Sequence, residues 1–190
     1  GGSGGGAVTY TSDTLSVCTV SGSTVTILAA GTCTVSAAKA SDTNHLATTS
    51  DPVSITVAKA AQSITFTTPT TKTYGGAPFT ISATSSAGLT VSFTSDTTES
   101  CTVMGSSVTI LAAGTCTITA SQAGTSNYDP APDLTRSFTI SKASQAALTV
   151  LPDTTSSTYD PTTPVTIALS ASGGSGDGAL TYAASTPTIC

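Results

Sequence analysis

Between Ser63 and Ile140 apolar and polar residues alternate in a series of short runs. Ile64 and Phe66 alternate with Ser63, Thr65 and Thr67, and Phe79, Ile81 and Ala83 with Thr80 and Ser82. Leu89, Val91 and Phe93 alternate with Thr90, Ser92 and Thr94, and Val108 and Ile110 flank Thr109. Cys116, Ile118 and Ala120 alternate with Thr117 and Thr119, Phe138 and Ile140 with Ser137 and Thr139, and Cys101 with Val103 adds one more short run. Successive side chains of a strand point to opposite faces, so a period of two predicts strands with one buried face. Turn-forming residues separate the runs: Gly75-Gly76, Ala87-Gly88, Gly105, Ala113-Gly114 and the Pro130-Ala131-Pro132 loop. No stretch has helical spacing. About seven short strands within the 83 residues from Ala60 to Lys142, each apolar on one face, predict a β-sandwich of immunoglobulin type.

The same pattern recurs along the chain. VTILAAGTCT runs from Val25 to Thr34 and again from Val108 to Thr117, an offset of 83 that also relates Asn44 to Asn127 and Lys59-Ala60-Ala61-Gln62 to Lys142-Ala143-Ser144-Gln145. Thr73-Tyr74 corresponds to Thr158-Tyr159, and the opening GGSGGGAVTY to GGSGDGALTY at Gly173 to Tyr182. A fixed period of this length marks an array of similar modules. The frame predicts a partial repeat over residues 1–59, a complete repeat over 60–142 and the N-terminal half of a third over 143–190. The chain therefore reads as a window on a longer array, and its glycine-rich start as a native loop equivalent to Gly173–Gly178.

Composition supports strands and narrows function. Charged residues are only 8% of the chain, but the apolar fraction is 38% and the mean hydropathy is positive, which is not the signature of disorder. Much of the polar remainder is Thr and Ser, and β-branched Thr suits a pleated surface. A net charge of −5 with five basic residues argues against nucleic acid as a partner, since phosphate binding relies on clustered Lys and Arg. No apolar run approaches the length of a membrane-spanning helix, and no signal peptide is visible, which implies a mature chain or an internal fragment.

Five cysteines follow the repeat. Cys18 and Cys33 are 15 residues apart, and so are Cys101 and Cys116. Cys190 occupies the first-cysteine position of the third repeat, and its partner is expected outside the chain. Alternation places Cys101 on the side of Val103 and Cys116 on the side of Ile118, so both sulfurs point inward. Buried disulfides Cys18–Cys33 and Cys101–Cys116 are predicted, with free buried thiols as the alternative. A zinc site would need four close ligands, against one pair per repeat and a single His. A small domain without Trp has a limited core, and such bridges persist outside the cytosol.

Other candidates are weaker. His45 follows the polar loop Ser41 to Asn44 and reads as a solvated loop residue rather than a catalytic one. Asp96 with Glu99 and Asp129 with Asp133 are the only close carboxylate pairs, poor cages for calcium. Lys59 and Lys142 recur where one repeat passes into the next, with Asn44 and Asn127 in loops; linker residues are the simpler reading than Lys–Asn crosslinks. Neither Asn has the N-x-Ser/Thr context of N-glycosylation. Tyr74 and Tyr159 begin equivalent loops and read as packing or turn residues. No catalytic residue, metal site or cofactor is assigned.

The complete repeat combines Tyr74-Gly75-Gly76-Ala77-Pro78-Phe79-Thr80, the run Gly88 to Phe93, LAAGTCTITASQAGTSNYDPAP from Leu111 to Pro132, and SFTISKA from Ser137 to Ala143. In these it resembles the bacterial immunoglobulin-like repeats of the MBG/YDG type, which stand in tandem in very large secreted and surface-anchored proteins. The resemblance covers essentially the whole chain, and departs from the pattern where His45-Leu46 replaces Tyr128-Asp129. It implies all-β, tandem immunoglobulin-like sandwiches that build extracellular stalks, fibres or adhesins, with adjacent repeats or other copies of the chain as partners and no catalysis. Two alternatives stay open: a filament subunit polymerising by strand exchange between half-domains, and a glycan- or receptor-binding module, the latter weakened by the scarcity of aromatics.

Overall fold

The computed structural model describes residues 4–152, 157–163 and 165–184. The described residues form strands and no helix, so none of them makes a helix that could cross a membrane. The chain divides into two compact units, residues 1–141 and 142–190.

The first unit begins with β1 (Val8–Ser12), β2 (Cys18–Ser21), β3 (Thr24–Ile27), β4 (Gly31–Lys39), β5 (Thr48–Thr49) and β6 (Val53–Val57). Antiparallel β1 lies along one edge of β4, while β5 and β6 follow one another along the other; β2 and β3 form a hairpin. It continues with β7 (Ile64–Phe66), β8 (Lys72–Thr73), β9 (Phe79–Thr80), β10 (Ala83–Ser85), β11 (Ser92–Ser95), β12 (Cys101–Met104), β13 (Ser107–Ile110), β14 (Gly114–Gln122) and β15 (Ala131–Ser141). One layer of this sandwich is the sheet β11-β14-β15-β8, with β8 parallel to β15. The other holds β12-β13-β9 and the pair β10-β7.

Alternation builds the core between these layers. Ile64 and Phe66 of β7, Ile81, Cys101 and Val108 meet Cys116, Ile118 and Ala120 of β14 and Phe138 and Ile140 of β15, all buried. Two ring pairs cross the interface: Phe66 with Phe93 at 5.4 Å between centroids and Phe79 edge-on to Phe138 at 5.7 Å. The polar half of the alternation becomes hydroxyl pairs on the outer face, Thr117 with Ser137 and Thr119 with Thr135, each at 2.9 Å.

Matching registers stand at the matching sequence positions. Tyr10 opposes Ala37 as Phe93 opposes Ala120, and Cys33 opposes Ile55 as Cys116 opposes Phe138. The hairpins β2–β3 and β12–β13 both turn through Gly-Ser, with Gly22 and Gly105 at φ +60°. No non-glycine described residue has positive φ, so only the first loop position is left-handed, the requirement of a type II′ turn.

Three expectations about strand limits are refined. The run Phe79–Ala83 is not one strand: β9 pairs with β13, whereas β10 pairs with β7. Side chains keep alternating into one core while the backbone changes hydrogen-bond partner around buried Ile81, and periodicity cannot register that change. The Pro130-Ala131-Pro132 segment is not wholly loop, since buried Ala131 opens β15 opposite Gln122. The register shifts there, and a bulge tolerates Pro132, which has no N–H to donate. Strand β8, which sequence alternation did not signal, is a two-residue parallel addition at the sheet edge.

Both predicted disulfides are present, Cys18–Cys33 and Cys101–Cys116, with all four cysteines at 0% exposure. Cys101 belongs to β12 and Cys116 to β14, so the second bridge ties one layer to the other. Cys190 lies outside the described residues. In the second unit, β16 (Leu148–Pro152) and β17 (Leu169–Gly173) form an antiparallel pair. Asp160 accepts hydrogen bonds from the hydroxyls of Thr162 and Thr163, both at 2.6 Å, which hold its carboxyl well below the usual range.

Loop-closure entropy for a bridge spanning about 15 residues is worth ~3 kcal/mol. The variant Cys101→Ala/Cys116→Ala should therefore lose about that much in urea unfolding with Cys18–Cys33 intact. An unchanged urea midpoint would show that the two layers hold together without the bond.

Candidate functional site

Polar chemistry in the first unit concentrates where the first repeat passes into the second. The connection is short, β6 ending at Val57 and Lys59-Ala60 following after a single Ala58. Ala60 joins the next repeat by its backbone, its N–H donating to the Asn127 carbonyl and its carbonyl accepting from Asp129 N–H, both at 2.9 Å. These make a one-residue parallel bridge between Ala60 and Tyr128. Lys59 spans the same joint, its Nζ donating to the Thr125 carbonyl at 2.8 Å.

Asn127 reaches the other way. Its Oδ1 accepts the backbone N–H of Ala30 in the first repeat at 2.9 Å. The neighbouring donors, Leu28 and Ala29, are both taken by the Val17 carbonyl, so Asn127 completes the row. In the second repeat Leu111 and Ala112 donate to Ser100 in the same manner. One carboxamide thus fixes the loop of one repeat against the end of the previous one.

A buried polar network holds that loop in position. Gln62, 7% exposed, donates from Nε2 to the Gln122 side-chain oxygen and to the Asp129 carbonyl at 2.7 Å. Its Oε1 accepts from Ser85 Oγ at 2.6 Å, and Gln122 Oε1 also accepts from Gly124 N–H at 2.6 Å. Strands β10 and β14 therefore grip both ends of the loop through Gln62. Gly124 has φ +78°, and a Cβ there would come within 2.5 Å of the Tyr128 carbonyl oxygen, so the turn admits only glycine. Each buried amide is satisfied, which makes the network rigid.

The equivalent loop of the first repeat is built differently. Asp42 Oδ1 accepts the N–H groups of Asn44 and His45 at 2.8 and 2.9 Å and contacts His45 Nδ1 at 3.0 Å, while Oδ2 accepts Gly5 N–H at 2.7 Å. The glycine-rich start is thereby tied to the loop. These donors, the Asn44 amide foremost and then the His45 ring, hold the Asp42 carboxyl below its ordinary value of 3.8. Asn44, the counterpart of Asn127, has no hydrogen-bond partner for its carboxamide among the described residues.

The structure brings together Lys59 and Asn127 of the residues singled out in the sequence, but through backbone groups of Thr125 and Ala30. Asp96 takes a bond from Thr119 Oγ1 at 2.7 Å, and Tyr74 and Tyr159 are exposed side chains. Among the described residues no group of three or more His, Cys, Asp or Glu could hold a metal ion. Sequence reasoning missed Gln62 and Asp42. Gln62 carried a signal, its recurrence as Gln145; Asp42 carried none, because Thr125 stands at its counterpart position.

No family model matches the chain, and no curated protein matches it. Among solved structures it is similar to surface layer protein SbsC, domains 1–6, at 19% identity and a TM-score of 0.32, over 76% of this chain. The match spans 21% of that structure's chain.

The junction makes two measurable claims. Asn127→Ala should speed hydrogen exchange at the Ala30 amide and loosen the relative orientation of the two repeats in residual dipolar couplings, at a stability cost of about 1 kcal/mol. Asn127→Asp keeps an acceptor oxygen and should retain most of the coupling; equal behaviour of the two variants would remove Asn127 from the joint. The loop of Asp42 should respond to acid. Its folded pKa is depressed, so its stabilising bonds are complete above the ordinary value of 3.8 and are lost as pH falls through the folded value. A carboxyl titration of Asp42 by NMR should give a midpoint below 3.8, and one at or above it would contradict this arrangement.

Proposed function

We propose that this chain is a structural segment of an extracellular bacterial fibre, stalk or adhesin, assembled from tandem immunoglobulin-like repeats of the MBG/YDG type. The observation that carries the reading is the junction. A connection with almost no slack, closed by Ala60, Lys59 and Asn127, transmits orientation from one repeat to the next. A chain of such joints is a semi-rigid rod in which each module contacts its neighbours. Two buried disulfides support a location outside the reducing cytosol. Hydroxyl-covered outer faces with few charges suit a load-bearing or spacing role, and the reading includes no catalysis.

Antibodies raised against the purified chain provide the test. They should label intact source cells or extended material shed from them, and reducing agent should be needed to expose thiols at Cys18, Cys33, Cys101 and Cys116. Label confined to the interior of permeabilised cells, with these thiols free, would overturn the proposal.

A further inference from the structure

Three sets of contacts join the start of the complete repeat to its end, and the paired segments run in the same direction. Ala60 makes a parallel bridge with Tyr128, and β8 lies parallel to β15 with Lys72 opposite Ile140 and Thr73 opposite Ser141. These pairs share one sequence offset, so both ends of the 60–74 segment keep a single register along residues 128–141. Between them Arg136 of β15 reaches β7, its Nε donating to the Phe66 carbonyl at 3.2 Å. Tyr74 N–H closes the series by donating to the Ser141 carbonyl at 2.9 Å. All other ladders of the complete repeat are antiparallel.

The path of the chain explains the gap between these contacts. From Ala60 it crosses to the other layer as β7, where Ile64 and Phe66 are buried and the strand pairs with β10, and it returns as β8. Arg136 alternates with the outward Thr135 and Ser137 and lies opposite Ile118 of β14, so it shares the inward side of β15 with Phe138 and Ile140. Its bond to Phe66 ties the β7 stretch back to β15 where no backbone ladder joins them.

We propose that residues 60–74 and 128–141 form a clamp that carries tension along the chain. The chain enters the complete repeat at Ala60 and leaves it after Ser141, at opposite ends of the parallel register. A pull on both ends draws one segment backward and the other forward, so the two slide along one another. Every contact in the series is then loaded at once, whereas a hairpin pulled from its open end gives way one bond at a time. Neither disulfide joins the two segments, so no covalent bond resists the sliding. Once the clamp parts, Cys101–Cys116 withholds the residues it encloses, a sequence separation of 15 or about 50 Å at full stretch. The clamp deepens the structural reading, and the two fail separately: cell labelling decides where the chain is, and pulling decides whether it resists.

Single-molecule pulling on the whole oxidised chain by its two termini, at constant load, tests it. The complete repeat is the longest module in the chain, so its unfolding gives the longest step, and the lifetime before that step reports the unfolding barrier. Tyr74→Pro removes the N–H that bonds Ser141, and Arg136→Met keeps an apolar stem but loses the donor to Phe66. Each should shorten the lifetime about fivefold, the rate equivalent of one hydrogen bond. Val103→Ala trims the core from β12, outside the clamp. It should lower the urea midpoint yet leave the lifetime under load within about twofold, because core contacts persist while the clamp slides. Equal shortening in all three variants overturns the clamp, and so does an unchanged lifetime in Tyr74→Pro and Arg136→Met. Should Tyr74→Pro lose its strand signal in circular dichroism, Arg136→Met against Val103→Ala decides by the same comparison.

Discussion

The bond between Cys101 and Cys116 joins β12 of one layer to β14 of the other, and most of what is ordered in the complete repeat is arranged around it. A module of this size without Trp, and with only four Phe in the whole chain, has little apolar area with which to hold two sheets together. The residues nearest this problem are small or branched: Val108, Ile118 and Ala120 are all fully buried. Phe66, Phe79, Phe93 and Phe138 are used in pairs that bridge the layers rather than as separate plugs. The covalent tie lets such a modest core remain a sandwich.

The repeat junction depends on this rigidity. Asn127 can hold Ala30 in the preceding repeat only if its loop is fixed relative to its own sheets. That task falls to Gln62, whose amide connects Ser85 on β10, Gln122 on β14 and the Asp129 carbonyl. The order of dependence runs from core to network to loop to joint. The joint itself is made by hydrogen bonds of Ala60, Lys59 and Asn127.

Much of this was legible beforehand. The period of two located the buried faces, because a strand places alternate side chains on one side whatever its partner. Equal spacing of Cys18–Cys33 and Cys101–Cys116, with inward alternation, identified both pairs. The junction was only half legible. Lys59 and Asn127 drew notice by recurring, yet their partners are the Thr125 carbonyl and the Ala30 amide, and backbone groups carry no mark in a sequence. Asp42 stayed hidden because the loop it organises in the first repeat is built on a different principle from that of the second.

The amino-acid sequence by itself determined the all-β character, the inward faces and the disulfide pairs, since each follows from local stereochemistry or from spacing. Tertiary structure decided which strands pair, dividing Phe79–Ser85 between two ladders and drawing Ala131 into β15. It also decided how one repeat is fastened to the next and which apolar faces are covered. Those outcomes depend on contacts between residues far apart in the chain, and alternation specifies a face to be buried without naming what buries it.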